Sequence, residues 1–590
     1  MTENMRLPHF LKNIDALTKK MDKQRLEAFI HEIARIWPES ERKSFETKLE
    51  SFQTIAEEKD DADKDIDFQI NDIITKLEII NSGQRCLDSE YNEEWDDWYN
   101  SDADEVLFSD PEKLLTDIED AIQLIHKCID MEINNDDVMK LVATISALEV
   151  SADGDYNDYD GEPLEIKDLY EHNLLYGDYD KLVKECLYLT YTGTELSDRA
   201  EELFYIFESM SSYDVTLENV LQMGNRDLPE FDEFLKLWIK YLADNTGTQV
   251  EKLIKEAQSM IQDDDTIFEN AKKYADSHPE LYLQLLELKL DAQDDEKMMN
   301  TGFEALGIIS DSYLIRSKIA LLTAIYAEKA GEITKAEQCW LEAFRSDSSV
   351  VNYMRLRFET QNWCEYKNEV RRIIDELFKN NTDKDYFICS QNYFQKNTMT
   401  KYKYCILMFF EHEFEQMIQT GMNTKESLGW SGTFMKEGIS FLLLLLYSGS
   451  TLPVGLQAMQ SRVVSACGFE KEQYCFGTNK IVEQKQYELF NELFTKWKED
   501  VTISEDEQNN WIHKIEKWIC DRTQAIMENN RRNYYGECAG FIAALGEVME
   551  SNGEEGAKNR LLEQYRYKYS RRRAFHEELR RYGMKKIVKK

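Results

Sequence analysis

An all-α fold is what this sequence predicts, and three observations predict it. Proline is rare, at 7 of 590 residues, and glycine is low, at 24, so the chain has few helix breakers and too few turn residues for a sandwich or barrel. Apolar residues recur at spacings of three and four over long stretches. One stretch places Ala324, Gly331, Ala336, Trp340 and Ala343 at the tetratricopeptide spacing: small residues where two antiparallel helices approach, a glycine at the turn, and an aromatic for the next repeat. The predicted architecture is an N-terminal helical domain, an irregular tetratricopeptide-like (TPR-like) array of helical hairpins, and a C-terminal helical region that closes it. Hydrophobic residues make up 42% of the chain and aromatics 12%, enough for a substantial core.

The expected divisions are 1–87, an N-terminal helical domain; 88–110, an acidic aromatic linker or loop; 111–380, the array; 381–558, a C-terminal helical domain; and 559–590, a basic helix or tail. In the first, Leu26, Phe29, Ile30, Ile33 and Trp37 form a helical stripe that Pro38 stops, and Ile70, Ile73, Ile74, Leu77 and Ile80 form a second. The acidic run 57–67 between them reads as a solvated helix end or loop. The linker holds ten acids between Asp88 and Asp110 and no Lys or Arg, with Tyr91, Trp95, Trp98 and Tyr99 threaded through it. Asp110 and Pro111 then read as an N-cap and first helical residue, leading into Leu115, Ile118, Ile122 and Ile125. A second acidic loop is expected over 153–162. Leu283 to Leu306 is a looser copy of the hairpin at Gly331. The segment 402–446 is dense in aromatics and leucine and reads as packed core. Gly536 and Gly540 mark a close helix contact, and Gly553 a helix stop.

Charge separates along the chain. There are 71 Lys and Arg against 113 Asp and Glu, a net −42. From Arg560 to Lys590 there are 12 Lys and Arg against 3 Glu, so a tail of +9 follows a body of −51. The acidic body disfavours broad docking onto nucleic acid or anionic membrane. Eleven scattered cysteines with no CxC or CxxC read as reduced thiols that serve as buried small hydrophobes or surface bystanders. The start has no apolar signal region, and the longest apolar run, 439–447, is half a membrane span. A cytoplasmic protein with no membrane contact is expected.

Several segments in order carry a resemblance: the opening 7–38 with Phe29-Ile30-His31-Glu32-Ile33-Ala34, the acidic aromatic stretch from Tyr91 to Tyr99, the pair around Gly331 to Phe344, and Tyr569-Ser570-Arg571-Arg572-Arg573-Ala574-Phe575. Together they resemble large uncharacterised helical-repeat proteins of Clostridia-type bacteria, some of whose relatives carry a SWIM zinc finger. That finger needs a CxC pair followed by CxH, and neither occurs here. The resemblance therefore implies a helical scaffold and transfers no zinc or nucleic-acid role.

No catalytic, cofactor or metal site is expected. No two of the eight histidines lie four apart, which excludes HExxH; His513 and Cys520 are seven apart on one helix, and two ligands do not make a site. An EF-hand counted from Asp153 would need Gly and Glu where Asp158 and Leu164 stand. Phosphate loops and nucleophile elbows are missing. Two segments remain as partner-binding candidates. In the tail, Arg571, Arg572, Arg573, Arg580 and Arg581 interleave with tyrosines, a pattern that suits stacked bases and phosphates. The same tail carries Phe575, Leu579 and Tyr582 at i, i+4 and i+7, and Tyr565 with Tyr569, which reads as a closing helix with its arginines facing the acidic body. In the acidic linker, Tyr91, Trp95, Trp98 and Tyr99 among carboxylates could dock a basic protein groove or imitate nucleic-acid phosphates; the alternative is a loop anchored by its tryptophans. The leading functional expectation is a non-enzymatic scaffold or adaptor that binds an unidentified protein. The alternatives are a nucleic-acid-associated protein acting through the tail, and an acidic nucleic-acid mimic.

Overall fold

The computed structural model describes residues 14, 17–37, 42–43, 45, 59–91, 106–154, 162–212, 214–223, 228–261, 263–290, 294–380, 396–424, 426–478, 480 and 482–584. It is 70% helical, and the all-α expectation holds. The chain divides once, into unit 1 (1–267) and unit 2 (268–590).

In unit 1 the helix α1 (Lys23–Ile36) starts where Asp22 accepts a hydrogen bond from the Arg25 amide at 2.9 Å, and it ends just before Pro38. The next helix, α2 (Lys59–Asn81), takes up most of the acidic run and buries Ile70, Ile73, Ile74, Leu77 and Ile80, the stripe its sequence predicts. That stripe packs on α3 (Leu114–Asp130) and α4 (Asp136–Ser146), so the expected boundaries at 87 and 110 cut through one core. The predicted start at Asp110 is corrected by three residues. Asp110 does cap, accepting from the Leu114 and Leu115 amides at 2.9 Å, but Pro111 lies in the preceding turn and the helix begins at Leu114.

The acidic linker is also corrected at both ends. Leu87–Tyr91 (β1) pairs antiparallel with Val106–Ser109 (β2), and β1 pairs parallel with Ala152–Gly154 (β4). Alternation decides this: Leu87 and Ser89 are buried while Asp88 and Glu90 are exposed. A two-stranded sheet joins Glu149–Val150 (β3) to Leu164–Glu165 (β5). Gly154 is required in β4. Its φ is +96°, and a Cβ there would lie 2.2 Å from the Ser89 carbonyl oxygen. The short α5 (Ile166–Glu171) follows, then α6 (Tyr179–Gly193), which packs on α3 and α4. Helix α7 (Arg199–Ser209) packs on α6, α8 (Leu217–Val220) on α6, α9 (Phe231–Ala243) on α7, and α10 (Thr248–Met260) on α9. Half-buried Glu256 on α10 accepts from the Leu217 and Glu218 amides at 2.9 and 2.8 Å, capping α8 from a neighbouring helix. The helix α11 (Asp264–Lys273) spans the division between the units.

Unit 2 opens with α12 (Glu280–Leu288), α13 (Asp295–Ile308), α14 (Leu314–Lys329), α15 (Ile333–Ser346), α16 (Val350–Glu359) and α17 (Trp363–Lys379). Helices α14 and α15 form the predicted hairpin, with Gly331 at φ +79° in its turn and Ala324, Ala336, Trp340 and Ala343 buried. The chain continues through α18 (Lys401–Phe410), α19 (Phe414–Gly421), α20 (Met435–Leu446), α21 (Val454–Cys467), α22 (Lys471–Cys475) and α23 (Gln486–Glu499). It closes with α24 (Glu505–Glu528), α25 (Tyr535–Ser551), α26 (Ala557–Lys568) and α27 (Arg573–Arg581). The expected boundary at 380 falls inside this unit: α18 packs on α16 and α17, Trp340 Nε1 donates to the Gly477 carbonyl at 2.9 Å, and Arg355 Nε donates to the Tyr474 carbonyl at 3.2 Å. The boundary at 558 likewise falls within the first turn of α26, which packs with α27 on α25. The apolar run 439–447 belongs to α20, whose residues from Ile439 to Leu446 are buried, alongside Phe409, Phe410, Phe494 and Trp497. Among the described residues no helix is long and apolar enough to cross a membrane.

Candidate functional site

The tail arginines stand on a framework that its apolar residues build. Phe575 and Leu579 are fully buried under α25, and the Phe575 ring lies 5.6 Å from Tyr535 and 6.0 Å from Tyr569. Gly540 admits Tyr582: a Cβ there would lie 3.0 Å from the Tyr582 hydroxyl, and one on Gly536 would lie 3.2 Å from Glu578. The segment packs as a closing helix over its described part, which ends at Met584, but none of the five arginines pairs with an acid of the body among the described residues. Burial raises the Tyr565 hydroxyl's pKa, and Tyr569 is half-buried. Two of the three interleaved tyrosines thus serve packing, and Tyr567, 85% exposed, is the one left for stacking.

The five arginines divide by role. Arg572 is structural: one guanidinium nitrogen donates to the Asn530 side chain at 2.5 Å and another to the Met527 carbonyl at 2.9 Å, at the end of α24. Arg581 pairs with Glu578 on its own helix at 2.9 Å. Arg571, Arg573 and Arg580 are exposed and have no side-chain partner among the described residues. The Arg572 contact also does what sequence reading missed. It ties the turn 569–572 to the turn 529–532, which carries exposed Arg531 and Arg532, likewise without ion pairs among the described residues. Two arginine clusters forty residues apart thereby share one end of unit 2. The signal in the sequence was the dipeptide Arg531-Arg532 in an Asn-rich turn, and nothing local connected it to the tail.

The acidic aromatic candidate is reached only at its edges. Tyr91 is the last residue of β1, while Trp95, Trp98 and Tyr99 lie outside the described residues, as do 155–161 of the second acidic loop. Of the exposed acids at the edges, Asp88 and Glu90 lie on β1 beside β2.

Elsewhere in unit 2, buried charge is spent on holding elements together. Glu547 on α25 accepts from the Gly455 and Leu456 amides at 3.0 and 2.8 Å, capping α21, and from Lys558 Nζ at 2.6 Å. Arg522 donates to the Ser427 and Leu428 carbonyls, both at 3.0 Å, and to Glu537 at 3.0 Å, between the rings of Trp430 and Tyr534. Glu337 accepts from the Gln361 amide at 2.6 Å and the Tyr366 hydroxyl at 2.9 Å. Lys498 edges a cavity of about 310 Å³ lined by Tyr447, Leu452, Phe490 and Phe494. Burial lowers its pKa to about 8, and its Nζ donates to the Leu444 carbonyl at 3.1 Å and to the Tyr447 carbonyl, which closes the C-terminus of α20. His513 and Cys520 do line one recess with Glu516 and Asp521, but His513 faces solvent and its ring nitrogen is 3.9 Å from Glu516. Among the described residues no three His, Cys, Asp or Glu are placed to hold a metal ion. The described cysteines are free thiols, six of them buried.

No protein-family model matches the chain, and none of the curated proteins matches it. What the structure defines is a predominantly helical protein in two units.

Proposed function

We propose that the chain is a non-enzymatic helical scaffold that binds a protein partner, with α12–α17 arranged in TPR-like fashion. The observation that carries this reading is the order of packing in that segment. Helix α14 packs on both α12 and α13, α15 on α14, and α17 on both α15 and α16, so successive hairpins stack on their neighbours. Stacking of that kind buries one face of each pair and leaves the other as an extended binding surface. The uses found for Glu547, Arg522, Glu337 and Lys498 agree with it, since each ties one element to the next. Kinship with the Clostridia-type helical-repeat proteins and a cytoplasmic location belong to the same proposal. Affinity capture with the full chain, followed by reconstitution of the purified pair, tests it. A saturable complex with no chemical change in the partner supports the reading; no reconstituted complex, or turnover of the partner, sinks it.

A second reading rests on four exposed arginines, Arg531, Arg532, Arg571 and Arg573, which the Arg572 contact brings to one end of unit 2. They would take an anionic chain such as single-stranded nucleic acid, with Tyr567 as a stacking ring. The informative variant reverses Arg531, Arg532, Arg571 and Arg573 to Glu and spares Arg572, whose loss would unfasten the two turns. Oligonucleotide binding should weaken and its salt slope should flatten by about 0.7 per arginine. Unchanged affinity removes this reading. The acidic-mimic alternative would use Tyr91, Trp95, Trp98 and Tyr99, and it requires a basic partner that competes with DNA or RNA.

A further inference from the structure

The geometry points to a groove on unit 1, between α4, α6 and α7, as a docking site for a basic amphipathic segment of a protein partner. The inference rests on the scaffold reading and names where and what that scaffold would hold. The groove encloses about 510 Å³. Val142 and Ile206 are buried beneath it, and Tyr205, 48% exposed, stands at its wall. Its rim carries Asp136, Glu195, Asp198 and Glu202, all exposed and without ion pairs among the described residues. The two nearby cations are already used. Lys140 pairs with Asp137 at 3.1 Å, and Arg199 turns into the core, donating to the Thr194 and Pro229 carbonyls beside the Tyr191 ring.

The acids alone would be explained by helix starts. Asp136 is in the first turn of α4, Asp198 is the N-cap of α7 and Glu202 is in its first turn, where negative charge is favourable. Helix stability does not explain what lies between them. Thr190 lines the groove, is 2% exposed, and its hydroxyl has no hydrogen-bond partner. A buried hydroxyl left unpaired costs stability unless something completes it, and an occupant of the groove with a polar group would do so where the side chain turns to meet it. Gly193 shapes the same spot: a Cβ there would lie 2.4 Å from the Met139 sulfur, so the glycine lets α6 close onto α4. An apolar floor, a polar anchor and a rim of four unpaired carboxylates match a segment that alternates apolar side chains with Lys or Arg.

The test uses the full chain and a labelled nonapeptide in which leucines alternate with Lys and Arg. Micromolar binding is expected. It should weaken at least tenfold in the double variant D198K/E202K, about fivefold in T190V, and at least tenfold when the peptide leucines become serine. It should change less than twofold in E505K/D506K, an equal charge change on α24 in unit 2. Equal weakening by the two charge-reversal pairs, or no loss with the serine peptide, would reduce the effect to the chain's overall acidity and overturn the site. A reconstituted partner that ignores D198K/E202K overturns the groove and leaves the scaffold reading standing. Peptide binding with no partner protein does the reverse.

Discussion

Replacing Glu547 by alanine removes the carboxylate that starts α21. Its side chain is 2% exposed and accepts three hydrogen bonds, two from backbone amides and one from Lys558, itself 18% exposed. The variant leaves two amides at a buried helix start without an acceptor and an ammonium without its counter-ion, since Gly455 is packed so closely on α25 that a Cβ would lie 2.6 Å from the Ala544 nitrogen. Unmade hydrogen bonds and a broken buried ion pair together place the cost at about 4 kcal/mol. For a unit of about 320 residues the unfolding entropy is ~0.7 kcal/mol per degree, so the calorimetric transition of unit 2 should move down by roughly 6 °C. Glu547→Gln keeps an oxygen for the amides and should cost about 1–2 kcal/mol, and Lys558→Met about 1 kcal/mol. A shift below 1 °C for Glu547→Ala would refute the reasoning. So would a Lys558→Met variant as unstable as Glu547→Ala, which would move the weight from the cap to the ion pair.

Three further outcomes follow from the same packing. Arg522→Met leaves Glu537 with Lys436 alone, at 2.9 Å, and frees the Ser427 and Leu428 carbonyls, so the urea midpoint should fall by the equivalent of about 2–3 kcal/mol, with no rescue by lysine, whose single ammonium cannot span both sides; an unchanged midpoint contradicts the assignment. Gly154→Ala should destabilise unit 1 by about 2–3 kcal/mol, because a left-handed backbone and a 2.2 Å approach to Ser89 must both be relieved, and it should leave the unit 2 transition in place; equal shifts in both transitions would be the wrong result. The carboxyl contribution to stability should rise as pH falls from 8 towards the ordinary carboxylate range, while His412, whose pKa burial lowers, works against it below about 6.5. Burial is the first cause raising the carboxyl pKa values of Asp347, Glu256 and Glu411, so above the ordinary carboxylate range the native chain holds protons that the unfolded chain has released. Stability from these groups is lost as pH rises through their native values, and easing the net −42 acts in the same direction. An Asp347→Asn variant whose pH slope is undiminished contradicts the account.

Much of the helical frame was legible because it is local. The stripe from Ile70 to Ile80, the block from Tyr402 to Leu446, the Gly331 hairpin and the Phe575–Leu579 face all announce themselves by spacing that a helix turns into a buried side. Gly536 and Gly540 were legible as a contact, although their partners Glu578 and Tyr582 were not. What stayed hidden depends on segments distant in sequence. The strand Leu87–Tyr91 is five residues of Leu-Asp-Ser-Glu-Tyr, and the acid count there masks an alternation that matters only because Ala152–Gly154 lies alongside. The division near 267 carries no composition change, whereas the composition change at 88–110 begins and ends on paired strands of one sheet. Arg572 looked like one more tail cation until Asn530 and Met527 took it, and the same contact brought in Arg531 and Arg532. The groove on unit 1 was equally unreadable, since Thr190 is one threonine in an apolar helix until α4 and α7 close around it.

The most direct test of the central claim is sedimentation equilibrium of the full chain with the purified partner recovered by affinity capture from its native host, with mass spectrometry of both proteins before and after mixing. The account predicts a saturable complex of fixed stoichiometry in which both masses are unchanged. Two species that sediment independently, or a partner whose mass shifts on incubation, would contradict it.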